Sequence, residues 1–186
     1  VFVDGVFRAD LSSLDAGHGV ELSSLAVALM AQPEPLRFAL ANRYRRGAAD
    51  AFAHLNAALA TDGVVLRVAD DARMAKPLHI VHVSSGLQPD TAWHARVLVE
   101  VGKGAHAEVV GRFVQGGDGA QLGTVVADYA VRGGATLGLV LLQDASAATT
   151  LVRRGHVRLD AKAGVTVDAV ELGGALVRHE LTAEVL

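Results

Sequence analysis

The sequence has no cysteine, few aromatic residues and no long apolar run. Its 186 residues include no Cys, one Trp and only 4% aromatic residues. Disulfide bonds, and thiolate ligation of a metal or cluster by these residues, are therefore excluded, and a cytoplasmic location is favoured. No apolar stretch approaches the roughly 20 residues of a membrane span. The first residues also lack the basic and apolar regions of a secretory signal.

The charge balance and the composition exclude further classes. Lys and Arg number 17, Asp and Glu number 20, and the net charge is −3. This balance leaves no basic surface for nucleic acid. Hydrophobic residues make up 51% of the chain, so a packed core is expected and disorder is not. Ala, Val, Leu and Gly dominate, and this favours stacked layers of small side chains over a large ligand pocket.

The spacing of the apolar residues changes near residue 62, from a helical period to an alternation of period two. It predicts a mostly helical N-terminal region, 1–62, before a β core, 63–186. Ser23 or Ser24 is expected to cap a short helix that runs through Met30. Apolar residues at helical spacing then continue along the chain, at Leu36, Leu40, Tyr44, Ala48, Phe52, Leu55 and Leu59. Asp62-Gly63 is predicted to end this helix, with Gly63 at positive φ. Strands are predicted at 64–68 and 78–83.

The second half contains an internal repeat. Residues 97–113, 127–143 and 155–171 align without gaps, and they recur about every 30 residues. Equivalent positions share a physical type and lie two apart along each strand, so they occupy one face. The aligned sets are Val99, Tyr129 and Val157; Val101, Val131 and Leu159; Ala105, Ala135 and Ala163; Ala107, Leu137 and Val165; and Val109, Leu139 and Val167.

This repeat predicts a parallel β-helix, because short two-stranded units bury their apolar face only by stacking on one another. Val109, Leu139 and Val167 are then expected to be buried at neighbouring levels of one sheet. The alternative is an antiparallel sandwich, in which residues 97–101 and 107–113 would form a hairpin. A sandwich does not require like residues to recur at a constant offset, so the β-helix is favoured.

Histidine spacing gives little support for a metal or catalytic site. His79 and His82 lie three apart on a predicted strand, so they point to opposite faces and cannot share a metal. We expect one to be half-buried and the other exposed. In Arg178-His179-Glu180, Arg178 and Glu180 share one side and are expected to form a surface ion pair. His179 is a weak candidate for a ligand or catalytic role.

The remaining polar clusters favour structural roles. Arg153-Arg154, with Arg158 nearby, is interpreted as a solvated face, or else as a contact for an acidic partner. Residues 116–119 resemble part of a phosphate-binding loop but lack its G-K-[ST] ending, so a turn is expected. No G-x-S-x-G motif occurs, and the Asp residues are dispersed. We assign no catalytic and no cofactor-binding residue, and the metal ligands stay undetermined.

Four segments in order resemble the SufB/SufD family: LNAALATDGVVLRV (55–68), KPLHIVHVSSG (76–86), HARVLVEVGKGAHAEVVGRF (94–113) and LGGALVRHELTAEV (172–185). The resemblance is closer to SufD, because residues 64–83 lack the aromatic-rich strands and the Tyr-Val-Pro-Lys-Gly-type turn of SufB. The resemblance implies a right-handed parallel β-helix between helical regions. It also implies a non-enzymatic scaffold of the SUF machine, which pairs with SufB and the ATPase SufC. The iron–sulfur cluster belongs to the assembled complex, and no cluster ligand is carried over to these residues.

Two alternative functions stay open at this point: a self-associating structural β-solenoid and a carbohydrate-active β-helix enzyme. A homodimer is also possible. The chain starts without Met and stops inside a predicted strand, so we expect a segment of a longer protein. The SufC-binding helices and the late β-helix residues would follow Leu186. An isolated 1–186 fragment is then expected to associate through its C-terminal edge.

Overall fold

The computed structural model describes residues 1–34, 36, 40 and 51–186, and most of these lie in strands. Tyr44 and Ala48 of the predicted second helix lie outside the described residues. The strands are β1 Phe2–Val3, β2 Val6–Phe7, β3 Val20–Ser24, β4 Asp62–Val68, β5 Leu78–Ser84, β6 Thr91–Val101, β7 His106–Gln115, β8 Gln121–Val131, β9 Thr136–Asp144, β10 Thr149–Leu159, β11 Gly164–Glu171 and β12 Leu176–Val185. The helices are α1 Leu25–Ala31 and α2 Ala51–Leu59, with a 3₁₀ turn at Ala9–Leu11.

The strands form two six-stranded sheets that stack as a β-solenoid of about four turns. Sheet A has the order β11-β9-β7-β5-β1-β2, and sheet B has the order β12-β10-β8-β6-β4-β3. Each turn places one strand in sheet B and the next in sheet A, and neighbouring turns pair in parallel. The β-helix prediction is confirmed. The sandwich alternative is wrong, because β6 and β7 lie in different sheets instead of forming a hairpin.

The predicted columns are present in the observed register. Val109 pairs with Leu139, and Leu139 pairs with Val167. Tyr129 lies between Val99 and Val157 in the same way. These side chains enter one apolar core between the sheets, where Val109 and Leu139 are buried. Val167 is only half-buried, because β11 is the outermost described strand of sheet A and has a neighbour on one side only.

The corners of the turns use small residues and left-handed backbone. Gly104 and Gly134 have φ of 65° and 71°, and Lys162 adopts φ of 60° at the equivalent corner of the next turn. Ala105 and Ala135 follow these corners and are fully buried. Glycine adopts this conformation without strain, whereas a residue with a side chain does so at a cost. The backbone at this corner therefore keeps the same shape in the turn where Lys162 takes the place of glycine.

The N-terminal region contributes short strands as well as helices. β1 pairs in parallel with β5 and antiparallel with β2, and β3 pairs antiparallel with β4. These strands were missed, since β1 and β2 are only two residues long and the partners β5 of β1 and β4 of β3 lie far away in sequence. Ser24 caps α1 as predicted, because its side chain accepts a hydrogen bond from the backbone N–H of Val27.

One boundary prediction was wrong. Gly63 does not end a helix at positive φ but lies in β4, and α2 already ends at Leu59. Glycine is needed at position 63 because the backbone of the neighbouring strand, β6, lies too close to leave room for a side chain. A Cβ on Gly63 would lie 1.9 Å from the backbone oxygen of Arg96.

The helices pack on the outer face of sheet B. Leu25 of α1 and Leu36 form a small second core with Val65 and Leu98. Asn56 of α2 is fully buried, and its Nδ2 donates to the backbone oxygens of Ala95 (3.0 Å) and Thr124 (3.2 Å). This amide fixes the position of α2 over β6 and β8, because leaving such a group unpaired inside the protein is costly.

Candidate functional site

The interior of the solenoid changes from apolar to polar along its axis. In sheet A one interior column runs from His82 through Phe113 and Gln143 to Glu171. In sheet B a second column runs from Ala95 through Val125 and Arg153 to His179. Apart from His82, these two columns carry aliphatic and aromatic side chains in the earlier turns, and they bring together Arg, Glu, His and Gln in the later turns.

Arg153 is the centre of this polar interior. Its side chain is 4% exposed and forms an ion pair with Glu171. Its Cζ lies 4.9 Å from the ring centroid of Phe113, in a cation–π arrangement. Nε and Nη1 make no hydrogen bond within the described part of the chain. A buried guanidinium held in this way depends on its single carboxylate partner.

Burial shifts the proton affinities of the cluster. Burial lowers the pKa of Arg153 to about 10, so the guanidinium stays charged at neutral pH. Burial, and then the charge of Arg153, lower the pKa of His179. The Nδ1 of His179 lies 3.7 Å from the Oε1 of Glu171, the same atom that Arg153 contacts. One carboxylate therefore balances Arg153, and His179 is kept neutral.

Gln143 closes the corner beside this cluster. Its Nε2 donates to the backbone oxygen of Gly173 at 2.9 Å. Its Oε1 accepts from the backbone N–H groups of Leu172 and Gly173. The side chain is fully buried. Gln143 thus satisfies backbone groups of the following turn and has a structural role.

An axial stack of rings lies in the earlier turns. The ring of His82 lies 5.1 Å from that of Phe113, 5.5 Å from that of Trp93 and 5.3 Å from that of Phe2. Burial lowers the pKa of His82 from 6.5 to about 3. Its Nδ1 has no hydrogen-bond partner within the described residues. His82 is therefore a neutral core ring, and its geometry does not suit proton transfer with solvent.

The other predicted site residues have mixed outcomes. His79 is exposed and His82 is buried, so the prediction of opposite faces is confirmed, although His82 is buried more completely than expected. Arg178 and Glu180 form the predicted surface ion pair. Residues 116–119 form the turn between β7 and β8, as expected.

The interpretation of Arg153-Arg154 as a solvated face is wrong. Consecutive strand residues point to opposite sides, and Arg153 enters the interior while Arg154 pairs with Glu180 outside. The observed register places Arg153 on the same face as Val157. Extending the period-two pattern of residues 155–171 back by two positions would have found Arg153. The repeat alignment began at Gly155, so this signal was missed.

The outer face of sheet B carries ion pairs that connect successive turns. The Nη2 of Arg96 lies 3.3 Å from the Oδ2 of Asp128. The Nη2 of Arg132 lies 2.6 Å from the Oε1 of Glu100, and its Nη1 lies 3.7 Å from the Oδ2 of Asp160. The hydrogen bond to Glu100 raises the pKa of Arg132. The two pairs of Arg132 lie at partly exposed positions and contribute little individually, whereas the Arg96 side chain is buried. Together they nevertheless join charged residues on neighbouring strands of sheet B, so these charges are balanced by residues of the same chain.

Two classes of site do not occur among the residues that the structure describes. Their His, Asp and Glu side chains form no group of three or more that could hold a metal ion. Within the same residues, no helix is long and apolar enough to cross a membrane.

The open groove of about 510 Å³ beside Phe7, Leu14 and Met74 is mainly apolar in its lining.

Taken together, the stacked parallel turns and the graded interior define a two-sheet β-solenoid. Comparison with family models identifies it further. Residues 82–186 match the SufBD core domain of the SUF system for FeS cluster assembly, and residues 1–80 match the SufBD protein N-terminal region. The chain therefore belongs to the SufB/SufD family and is a component of the SUF iron–sulfur cluster assembly system. No curated protein matches it closely enough to be reported as a relative.

Proposed function

We propose that the chain is part of a SufD-type scaffold subunit, which pairs with a SufB-like subunit and binds a SufC-like ATPase in the cytoplasm. The main support is the consecutive match of the two family models along the chain, at 1–80 and 82–186. The SufBD core family is a scaffold family rather than an enzyme family. Function in such a protein resides in its interfaces. The proposal divides the chain into an N-terminal region, 1–62, and a solenoid core, 63–186.

The first turn of the solenoid supports SufD over SufB. Residues 64–83 contain no Phe, Tyr or Trp. Apart from His82, their interior positions are filled by aliphatic side chains, such as Leu66 (0% exposed) and Ile80 (5% exposed). A SufB-type sequence would place aromatic residues in these strands. The absence of aromatic residues from these two strands supports the SufD-type assignment.

The residue types available also favour a supporting role in cluster assembly. The iron–sulfur cluster is the cargo of the system, and the 186 residues contain no cysteine. Thiolates are the usual ligands of such clusters. If these residues take part in assembly, they do so without supplying thiolate ligands of their own.

Co-purification tests the proposal. The tagged full-length protein would be co-expressed with the SufB-like and SufC-like subunits of the same organism and purified under mild conditions. We expect a stable complex that contains all three chains. Recovery of the full-length chain alone, with both partners expressed and soluble, would contradict the proposal. Cleavage of polysaccharides by the isolated chain would favour the enzyme alternative.

A further inference from the structure

Three Asp-Gly pairs occur in the sequence, and the structure gives them different surroundings. Every other Asp is followed by a residue with a side chain, and the three pairs are Asp4-Gly5, Asp62-Gly63 and Asp118-Gly119. Asp-Gly pairs are prone to spontaneous ring closure, because glycine leaves the following backbone nitrogen open to the aspartate carboxyl group. Ring closure also requires the backbone to rotate, so the local structure decides which pair can react.

The first pair is fixed in the turn between β1 and β2. The carboxylate of Asp4 accepts hydrogen bonds from the backbone N–H of Ser85 (2.8 Å), from the Ser85 hydroxyl (2.5 Å) and from the Nε2 of Gln121 (3.3 Å). Asp4 and Gly5 have φ of 47° and 80°, so both adopt left-handed backbone. Ring closure at Asp4 would therefore break three hydrogen bonds and reshape the turn.

The second pair is fixed in a strand. Asp62 and Gly63 begin β4, where they pair with Ala95 and Arg96 of β6. The Oδ1 of Asp62 accepts hydrogen bonds from the backbone N–H groups of Ala26 (3.0 Å) and Gly63 (2.7 Å). The carboxyl group and the following backbone nitrogen are thus both engaged. Ring closure here would require the start of β4 to separate from β6.

The third pair lies in the loop between β7 and β8 and has no such contacts. Asp118 is exposed, and neither its carboxylate nor the backbone N–H of Gly119 makes a hydrogen bond within the described part of the chain. The side chain of Gln115 holds only carbonyl groups of this loop, because its Nε2 donates to the backbone oxygens of Gly117 (2.5 Å) and Gly119 (3.0 Å). Both reacting groups of the third pair are therefore available.

From this contrast we propose that Asp118 is a modification site, which converts spontaneously to isoaspartate through a succinimide formed with Gly119. The backbone nitrogen of Gly119 attacks the Cγ of Asp118, and the hydroxyl of the protonated carboxyl group leaves with the N–H proton as water. One water molecule then opens the ring at either carbonyl. Opening at the original main-chain carbonyl leaves the peptide joined through Cγ and releases a free α-carboxylate. The net change is an isomerisation that needs no oxidant and no cofactor.

The conversion loosens the contacts of this loop with its neighbours. Isoaspartate adds one carbon atom to the main chain between positions 118 and 119. A Cβ on Gly117 or Gly119 would lie within 2.8 Å of a backbone oxygen of the preceding loop, so that side has no room for an added atom. The main chain then has to move outward, away from Gln115 and from the hydrogen bond that the Gly116 N–H donates to the Ser84 oxygen. We therefore expect faster hydrogen exchange at the Gly116 amide.

Peptide mapping tests the site, because each of the three pairs lies in a separate tryptic peptide. The folded full-length protein would be aged for several weeks at neutral pH, digested under mildly acidic conditions and analysed by liquid chromatography and mass spectrometry. Isoaspartate has the mass of aspartate but elutes separately. A methyltransferase specific for isoaspartate also labels its α-carboxylate with a methyl group from S-adenosylmethionine.

We expect isoaspartate to accumulate in peptide 113–132 at least about tenfold faster than in the peptides that contain Asp4 and Asp62. The physical reason is that these two pairs react only after local opening, and an opening that costs about 1.4 kcal/mol slows a reaction tenfold.

Two controls separate the effect of the fold from that of the dipeptide. In urea all three pairs are released from the structure, so they should react at similar rates. Asp118→Glu keeps the charge but would need a six-membered ring to close. Peptide 113–132 of this variant, which still contains Asp128, should therefore stay unmodified.

Two results would overturn the proposal. The first is an absence of isoaspartate at Asp118 in the folded protein at a time when the urea-treated protein has accumulated it. The second is equal accumulation at Asp4 or Asp62 in the folded protein, since the structure would then not select the site. An unchanged exchange rate at the Gly116 amide, measured on the fraction that carries isoaspartate, would refute the loosening of the loop.

Discussion

The buried ring of His82 should make the stability of this protein depend on pH. Burial lowers the pKa of His82 from 6.5 to about 3 in the folded chain. In the unfolded chain the imidazole is in water and has its ordinary pKa of about 6.5. Between these values the unfolded state binds a proton and the folded state does not. The stability that His82 contributes is therefore complete above pH 6.5 and declines as the pH falls toward 3.

The size of this effect follows from the separation of the two pKa values. At pH 5 the unfolded chain has gained a proton whose pKa lies 1.5 units higher, and the folded chain is still unprotonated. Since one unit corresponds to about 1.4 kcal/mol, His82 alone should lower the free energy of unfolding by about 2 kcal/mol between pH 8 and pH 5. His94 and His179, whose pKa values burial also lowers, change stability in the same direction.

The variant His82→Phe isolates this contribution. Phenylalanine keeps a flat ring against Phe113 and Trp93 and removes a buried nitrogen that lacks a hydrogen-bond partner. We therefore expect little change near pH 8 and a loss at pH 5 that is about 2 kcal/mol smaller than in the wild type. Urea unfolding at both pH values measures the difference. Trp93 is 4% exposed and lies against the His82 ring, so its fluorescence reports unfolding of this region.

A matched variant controls for the loss of a histidine as such. His79→Gln removes the exposed imidazole three residues earlier on β5. The measured quantity is the difference between the pH responses of the two variants. If His82→Phe and the wild type lose stability in parallel between pH 8 and pH 5, the ring stack does not exclude the proton, and the reasoning from burial is refuted.

Three further predictions concern the core, and chemical denaturation measures each. Leu139→Ala should lower the free energy of unfolding by about 2–5 kcal/mol, because it leaves a cavity in a fully buried column; a loss below about 1 kcal/mol would mean that Leu139 is not in the core. Gly63→Ala forces a Cβ to within 1.9 Å of a carbonyl oxygen, whereas Gly164→Ala meets its nearest atom at 3.9 Å. Only the first should be strongly destabilising, and equal effects would contradict the register. Glu171→Ala leaves the buried guanidinium of Arg153 unpaired and should lower the free energy of unfolding by about 3 kcal/mol, more than Arg153→Met, which removes that charge. A larger loss in Arg153→Met than in Glu171→Ala would contradict the role given to this ion pair.

The periodic part of the fold could be predicted from the sequence because the same physical constraint acts at every turn. Val109, Leu139 and Val167 must cover one another, so their type recurs at a constant offset and reveals the register. The edge strands have no such signal. Phe2-Val3 is only two residues long, and its partner β5 lies far along the chain. Its pairing depends on tertiary contacts that a local pattern does not contain.

The polar interior could be predicted only in part. Alternation along β10 places Arg153 on the inner face, but an arginine pair is typical of a solvated surface, and that interpretation prevailed. What makes Arg153 tolerable inside is Glu171, which belongs to the other sheet. The pairing of groups across the two sheets depends on how the sheets face each other. A single sequence does not show this, although it does show which residues alternate inward.

The parallel pairing of β1 with β5 has a consequence for the order in which the chain can fold. Asp4 accepts hydrogen bonds from the backbone N–H and the hydroxyl of Ser85, a residue 81 positions later. Phe2 likewise stacks on the ring of His82. Closing so long a loop has an entropic cost that only the completed first turn can offset. During synthesis, Phe2 and Asp4 therefore cannot make these contacts until β5 and Ser85 have left the ribosome, although β1 can already pair with β2. At this end of the solenoid, β1 therefore leaves the ribosome well before the strand that it pairs with in parallel.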